Sequence, residues 1–209
     1  ILSHLVSYDH LSFDNDFYFG KLAKKLNKND VLFVLIDHIG FEKKYTKKKI
    51  NGNYIILSNR LNFFLETKLI FKTTIKLFYY SFSYNSLKLF NLKNILSSAG
   101  NQRISIKLKK IFKKYNFDYF FFTYEGYPYE KLTCNEAQKI KKNLIKIGYQ
   151  FSVIRKFQYL FFSFINKKFD PDVIFTIGNY NKKLLVSKLR NRLKVYNFGL
   201  LKNTKVNFL

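Results

Sequence analysis

The stretch Tyr119-Phe120-Phe121-Phe122-Thr123-Tyr124-Glu125-Gly126-Tyr127-Pro128-Tyr129-Glu130-Lys131 decides how this chain is read. An apolar run from Tyr119 to Phe122, bounded by turn signals, predicts a strand buried on both faces. Glycine and proline break the run, and two glutamates sit at the break. A helical pattern over Glu130 to Lys141 follows. In open α/β sheets ligands bind beyond the carboxyl ends of strands. Glu125 and Glu130 are therefore the first candidates for chemistry: one carboxylate as a general base, the other as a substrate clamp. Glu130 also suits the start of the next helix, where the dipole favours an acidic side chain.

Working outward, strands and helices alternate in both directions. Upstream, Leu2 to Tyr8, Val31 to Ile36 and Tyr54 to Leu57 read as strands. Downstream, Leu144 to Ile147, Pro171 to Gly178 and Lys194 to Phe198 do the same. Helical spacing appears over Phe17 to Asn27 with Asp16 as N-cap, over residues 61–82, over Asn101 to Tyr115 and over Tyr180 to Leu189. This alternation predicts an α/β fold: a doubly wound, mostly parallel, Rossmann-like sheet of five or six strands with helices on both faces. Gly126, Gly148, Gly178 and Gly199 read as strand-end glycines.

The 61–82 segment has three readings. Lys68, Lys72 and Lys76 form a stripe at i, i+4, i+8, while Leu65, Leu69, Phe71, Ile75, Phe78 and Phe82 cover much of the rest. The first reading is a core helix with one solvated face. The second is a basic amphipathic helix on an anionic membrane. The third is a face for a partner protein.

Composition narrows the class. Of 209 residues, 47% are hydrophobic and 20% aromatic, which excludes a disordered chain. One cysteine allows no internal disulfide and points to a reducing, cytoplasmic setting. With no methionine, the chain reads as a piece of a longer reading frame. No run of eighteen apolar residues predicts a transmembrane helix. The net charge of +25 invites nucleic acid as partner, but thirty-three lysines stand against five arginines. Arginine is the residue of forked phosphate and base recognition, so this balance fits the codon bias of an AT-rich genome better than selected nucleic-acid binding. The charge still favours anionic membrane surfaces and anionic substrates.

Other motifs are thin. Asp14-Asn15-Asp16 and Asp170-Pro171-Asp172 both read D-x-D, a short pattern used with metal–nucleotide ligands. His4, His10 and His38 have no metal-ligand spacing with Cys134, and no metal site is expected. Cys134 falls inside a helix as a packing residue. No phosphate-binding glycine loop is present.

The order TYEGYPYEKLTCNEAQKIKKNLIKIGYQ (123–150), FDPDVIFTIGNYNKKLL (169–185) and VYNFGLLKN (195–203) resembles a family of bacterial surface-carbohydrate biosynthesis proteins, glycosyltransferase-like, of capsule or lipopolysaccharide O-antigen assembly. The early SFDNDFYFGKLAKKL (12–26) is similar to that family's N-terminal loop and first helix. The resemblance implies two facing Rossmann-like domains with the active site between them. Here residues 1–190 would be the acceptor-side domain, and 191–209 the linker and the start of a truncated nucleotide-sugar domain. It places the family's acidic positions on Glu125 and Glu130 and its glutamine on Gln150. Tyr124, Gly126, Gln150 and Asp16 are the expected substrate-binding residues. Phe151 stands where the family often has histidine, so no imidazole role carries over there. The implied activity is transfer of sugar, or sugar-phosphate, from a nucleotide-sugar donor to a glycan or lipid-linked glycan acceptor. No cofactor is expected on this fragment, which alone would be inactive. The implied location is cytoplasmic, with peripheral contact at the inner membrane. The competing reading is a non-catalytic basic module for RNA or an anionic membrane surface.

Overall fold

In a computed structural model the chain folds around a seven-stranded sheet. The structure describes residues 1–6, 16–20, 22, 26, 30–38, 54–58, 60–84, 90–154, 159–163, 165–190 and 192–201. Strands are β1 (Leu2–Leu5), β2 (Phe33–Asp37), β3 (Tyr54–Leu57), β4 (Tyr119–Thr123), β5 (Ile145–Gln150), β6 (Val173–Thr176) and β7 (Lys194–Asn197). Helices are α1 (Phe63–Ser83), α2 (Leu92–Lys114), α3 (Pro128–Ile140) and α4 (Asn179–Leu189). Every pairing is parallel, and the spatial order is β3-β2-β1-β4-β5-β6-β7. This is the doubly wound Rossmann order with one strand added. The expected parallel α/β fold is thus present, with more strands than expected.

Alternation along each strand divides the core in two. Leu2, Val34, Ile36, Phe120, Phe122, Ile174 and Val195 face one way. Against them pack Leu108, Ile111 and Phe112 of α2, Cys134 and Ala137 of α3, and Leu185 and Leu189 of α4. Cys134 is buried there, as its packing reading requires. Leu5, Val31, Phe33 and Leu35 form a smaller cluster on the other face. Phe19 joins that face, its ring 4.9 Å from Phe121 and 5.6 Å from Tyr149.

Several local expectations are corrected. Residues 16–20 make a tight turn, closed by an Asp16–Gly20 bridge, instead of opening a helix at Phe17. The Asp16 carboxylate accepts from the backbone N–H groups of Tyr18 and Phe19, both at 2.9 Å, which bends the chain back. Most of 21–29 lies outside the described residues, as do His10 and Asp14-Asn15. Helix α2 begins nine residues earlier than its apolar spacing indicates, where Asn91 accepts from the Asn94 N–H at 2.9 Å as N-cap.

Gly148 does not end a strand. It lies inside β5, paired with Phe122 on one side and Ile174 on the other. A Cβ there would fall 2.9 Å from Tyr124 Cβ and 3.0 Å from its Cγ. Glycine is required because the Tyr124 side chain crosses β5 at that point.

Helix α1 also differs from the core reading. Of its six apolar positions singled out above, only Leu69 is buried. The face turned to α2 carries Thr73 and Glu66. Thr73 accepts from Gln102 Nε2 at 3.1 Å, and Glu66 is gripped by the fork of Arg103.

Candidate active site

The strand order reverses between β1 and β4, and such switch points open a crevice at the carboxyl edge. Only Leu2 and Phe122 pair across it, so the two strands part beyond that point. Side chains from four elements fill the gap. His4 of β1 approaches His38, just after β2, with Nδ1 and Nε2 2.8 Å apart. The other His4 nitrogen lies 2.9 Å from Thr123 Oγ1, at the end of β4, and 3.2 Å from the Tyr129 hydroxyl in α3. Burial, reinforced by His38, holds the His4 imidazole down at about 4. At neutral pH the ring is therefore uncharged, with one N–H donor and one acceptor nitrogen.

Glu130 closes the far side. It is buried, and its carboxylate accepts from the Glu125 N–H at 3.1 Å to each oxygen and from the Tyr127 N–H at 2.8 Å. The Gly126 N–H adds to the same cradle. Gly126 adopts φ 79°, a left-handed conformation natural to glycine, and this turns three consecutive amides toward one point. Such nests ordinarily bind anions, and here a carboxyl group of the chain itself fills the cradle. Burial raises the Glu130 carboxyl to about 8 against the pull of these N–H groups.

Glu125 is placed differently. Its backbone serves the nest, while its half-buried side chain reaches a pocket of about 250 Å³. Ser152 Oγ donates to Glu125 Oε1 at 3.3 Å. Aromatic groups wall the pocket. Tyr127 stacks on Tyr129 with centroids 6.0 Å apart, and Tyr18 meets Phe151 edge-on at 4.5 Å. Burial, then the neighbouring carboxylates, push the Tyr18, Tyr127 and Tyr129 hydroxyls up, so all three stay protonated donors.

The remaining expected site residues stand behind this wall. Gly126 contributes backbone alone. Tyr124 is buried, its hydroxyl turned to Asp170. Gln150 is fully buried: its Oε1 accepts from Asn181 Nδ2 at 2.6 Å and its Nε2 donates to the Ser152 carbonyl. Gln150 thus supports Ser152, which in turn touches Glu125. Asp16 is buried and accepts from Ser3 Oγ at 3.0 Å as well as from its own turn. Tyr124, Gln150 and Asp16 do not line the pocket with Glu125.

The second D-x-D is an internal ion-pair station. Asp170 pairs with Lys131 at 2.7 Å, and Asp172 lies 3.6 Å from Lys146 Nζ while accepting the Lys146 N–H at 2.9 Å. Among the described residues no three His, Cys, Asp or Glu side chains converge as metal ligands. A larger hollow of about 790 Å³ opens at the amino edge, beside Asp30 and Asp118. It is away from the strand termini where α/β sheets bind ligands.

Sequence reasoning does not single out His4, His38, Tyr18, Tyr127, Tyr129 or Phe151 as members of this site. One signal exists: His4 and His38 lie at the carboxyl ends of two strands that prove to be neighbours, with His4 paired to Ile36. No family model matches the chain, and neither the curated proteins nor the solved structures provide a match.

Proposed function

We propose that the chain is the acceptor-side part of a glycosyltransferase-like protein of bacterial surface-polysaccharide assembly. The observation that carries this reading is the Glu125 carboxylate at the switch-point crevice, held against Ser152 and walled by Tyr18, Tyr127 and Phe151. Flat aromatic faces suit the apolar face of a sugar ring, and hydroxyl donors suit its edges. In the transfer, Glu125 takes the proton of the acceptor hydroxyl. That oxygen bonds to the anomeric carbon of the nucleotide-sugar, and the bond to the donor phosphate breaks, releasing the nucleotide. Glu130 is a positioning residue: its carboxylate is committed to the backbone that presents Glu125.

The test has two arms. Oligosaccharides titrated into the 209-residue chain should perturb the Tyr127 and Phe151 ring signals in NMR spectra, and Tyr127→Ala should abolish the effect. In the intact protein, Glu125→Gln should lower transfer from a panel of nucleotide-sugars on the order of 100-fold, the usual loss with a general base. Wild-type turnover in Glu125→Gln, or no glycan contact at the crevice, overturns the assignment.

A further inference from the structure

We infer that α1 is an interfacial helix that seats this protein on an anionic lipid surface. This inference is independent of the activity at the crevice. Helix α1 is amphipathic in the inverse sense. Its protein-facing side carries Leu69, Thr73 and Ser81, with Glu66 held by Arg103. Its outward side carries Phe64, Phe71, Ile75, Phe78 and Phe82, each between 51% and 83% exposed. The spacing of 7, 4, 3 and 4 residues aligns them in one stripe along 21 residues, about 32 Å of helix. Exposed apolar patches of this kind mark partner or membrane surfaces.

Charge selects the occupant. Lys68, Lys72 and Lys76 follow one another at every fourth residue. At 3.6 residues per turn their row stands roughly 90° from the centre of the aromatic stripe, bordering it, while the side packed on α2 lies roughly 160° away. Glu66 is the sole acidic residue of α1, and it is spent on Arg103, so the outward surface is aromatic with a cationic margin and no carboxylate. A helix lying in the plane of a membrane has this arrangement: rings among the acyl chains, ammonium groups at the phosphates. Among the described residues no helix is long and apolar enough to cross a membrane, and mid-helix lysines exclude α1 from doing so. The chain's net charge of +25 acts in the same direction.

The absence of tryptophan makes the test direct. Phe71→Trp introduces one reporter into the outward stripe. Added to vesicles in which about one third of the lipid is phosphatidylglycerol, its emission should shift to the blue and be quenched by brominated acyl chains; phosphatidylcholine vesicles should leave it unchanged. Flotation should show the wild-type chain bound to the anionic vesicles and released by high salt. Replacing Lys68, Lys72 and Lys76 together by Gln should weaken partition on the order of 100-fold, about a factor of five per lysine. Phe71→Ser with Phe78→Ser should abolish it while the circular dichroism stays that of wild type, since both rings are exposed. The inference is overturned if the indole of the Phe71→Trp variant stays in water with both vesicle types, if the lysine and phenylalanine variants float like wild type, or if sedimentation shows the stripe buried between two copies of the chain.

Discussion

His4 and His38 share a short contact, 2.8 Å from Nδ1 to Nε2, at the ends of neighbouring strands. Its pH consequence is opposite to that of Glu130, one hydroxyl away through Tyr129. His4 is held near 4 when folded against an ordinary 6.5, so its contribution to stability is complete above 6.5 and is lost as pH falls through 4. Glu130 is raised to about 8 from 4.5, so its contribution is complete below 4.5 and is lost as pH rises through 8. Between 4.5 and 6.5 the two slopes, each at most about 1.4 kcal/mol per pH unit, oppose one another. Urea denaturation across pH should show the two contributions offsetting one another in wild type. Relative to wild type, His4→Gln should tilt the profile toward falling with pH, and Glu130→Gln should tilt it toward rising up to about 6.5. Profiles for both variants that run parallel to wild type would contradict these assignments.

Gly148→Ala should destabilise the chain by about 1–3 kcal/mol, the usual range for overpacking. The added methyl meets the root of Tyr124, not a flexible tip, and Pro171 Cγ stands 3.4 Å away. Adding Tyr124→Ala should recover part of the loss from the overpacked site. A double-mutant cycle with no coupling would show that the two residues do not press on each other.

Glu130→Ala should cost about 2 kcal/mol by leaving the buried amides of its nest without an acceptor. It should also blur the geometry around Glu125, so the transfer proposed for the intact protein should fall with it. Partial rescue by Glu130→Gln, which restores one acceptor oxygen, distinguishes positioning from proton transfer.

The Lys131–Asp170 pair is buried at 2.7 Å, and Asp170 also accepts the Ile165 N–H at 3.1 Å. Lys131→Met alone should cost about 3–5 kcal/mol by stranding the carboxylate. Changing Lys131→Met together with Asp170→Asn should cost less than the sum of the two single changes. Additive losses in thermal melts would mean that the pair is not coupled.

Local patterns carry most of the fold. The aromatic run at Tyr119 to Phe122 and the four-residue strand Tyr54–Leu57 are legible because apolar runs between turn signals need no partner to be recognised. Gly148 reads as a strand end for the converse reason: its glycine is demanded by Tyr124, on the chain leaving the adjacent strand. The start of α2 is hidden by Ser97, Ser98 and Gly100, weak helix formers in a stretch held down by the buried Ile95 and Ala99. The phenylalanines of α1 read first as core, since hydrophobicity tells which residues avoid water and not what they meet. Glu125 and Glu130 are legible from their place after a strand, yet their division of labour depends on where their side chains turn. The His4–His38 contact needs the sheet order itself.

That order has a kinetic consequence. Leu2 finds Phe122 only after the whole β2–β3–α1–α2 segment has been laid down. The central strand of the sheet is therefore completed by one of its most distant pairings, and distant parallel pairings are slow to form. While β4 is still being synthesised, one edge of β1 stays open and the aromatic flank of β4 is not yet available to cover it. Capture by a chaperone, or pairing with another nascent chain, competes in that interval, so yield on expression should respond more to the rate of translation than to the stability of the finished fold.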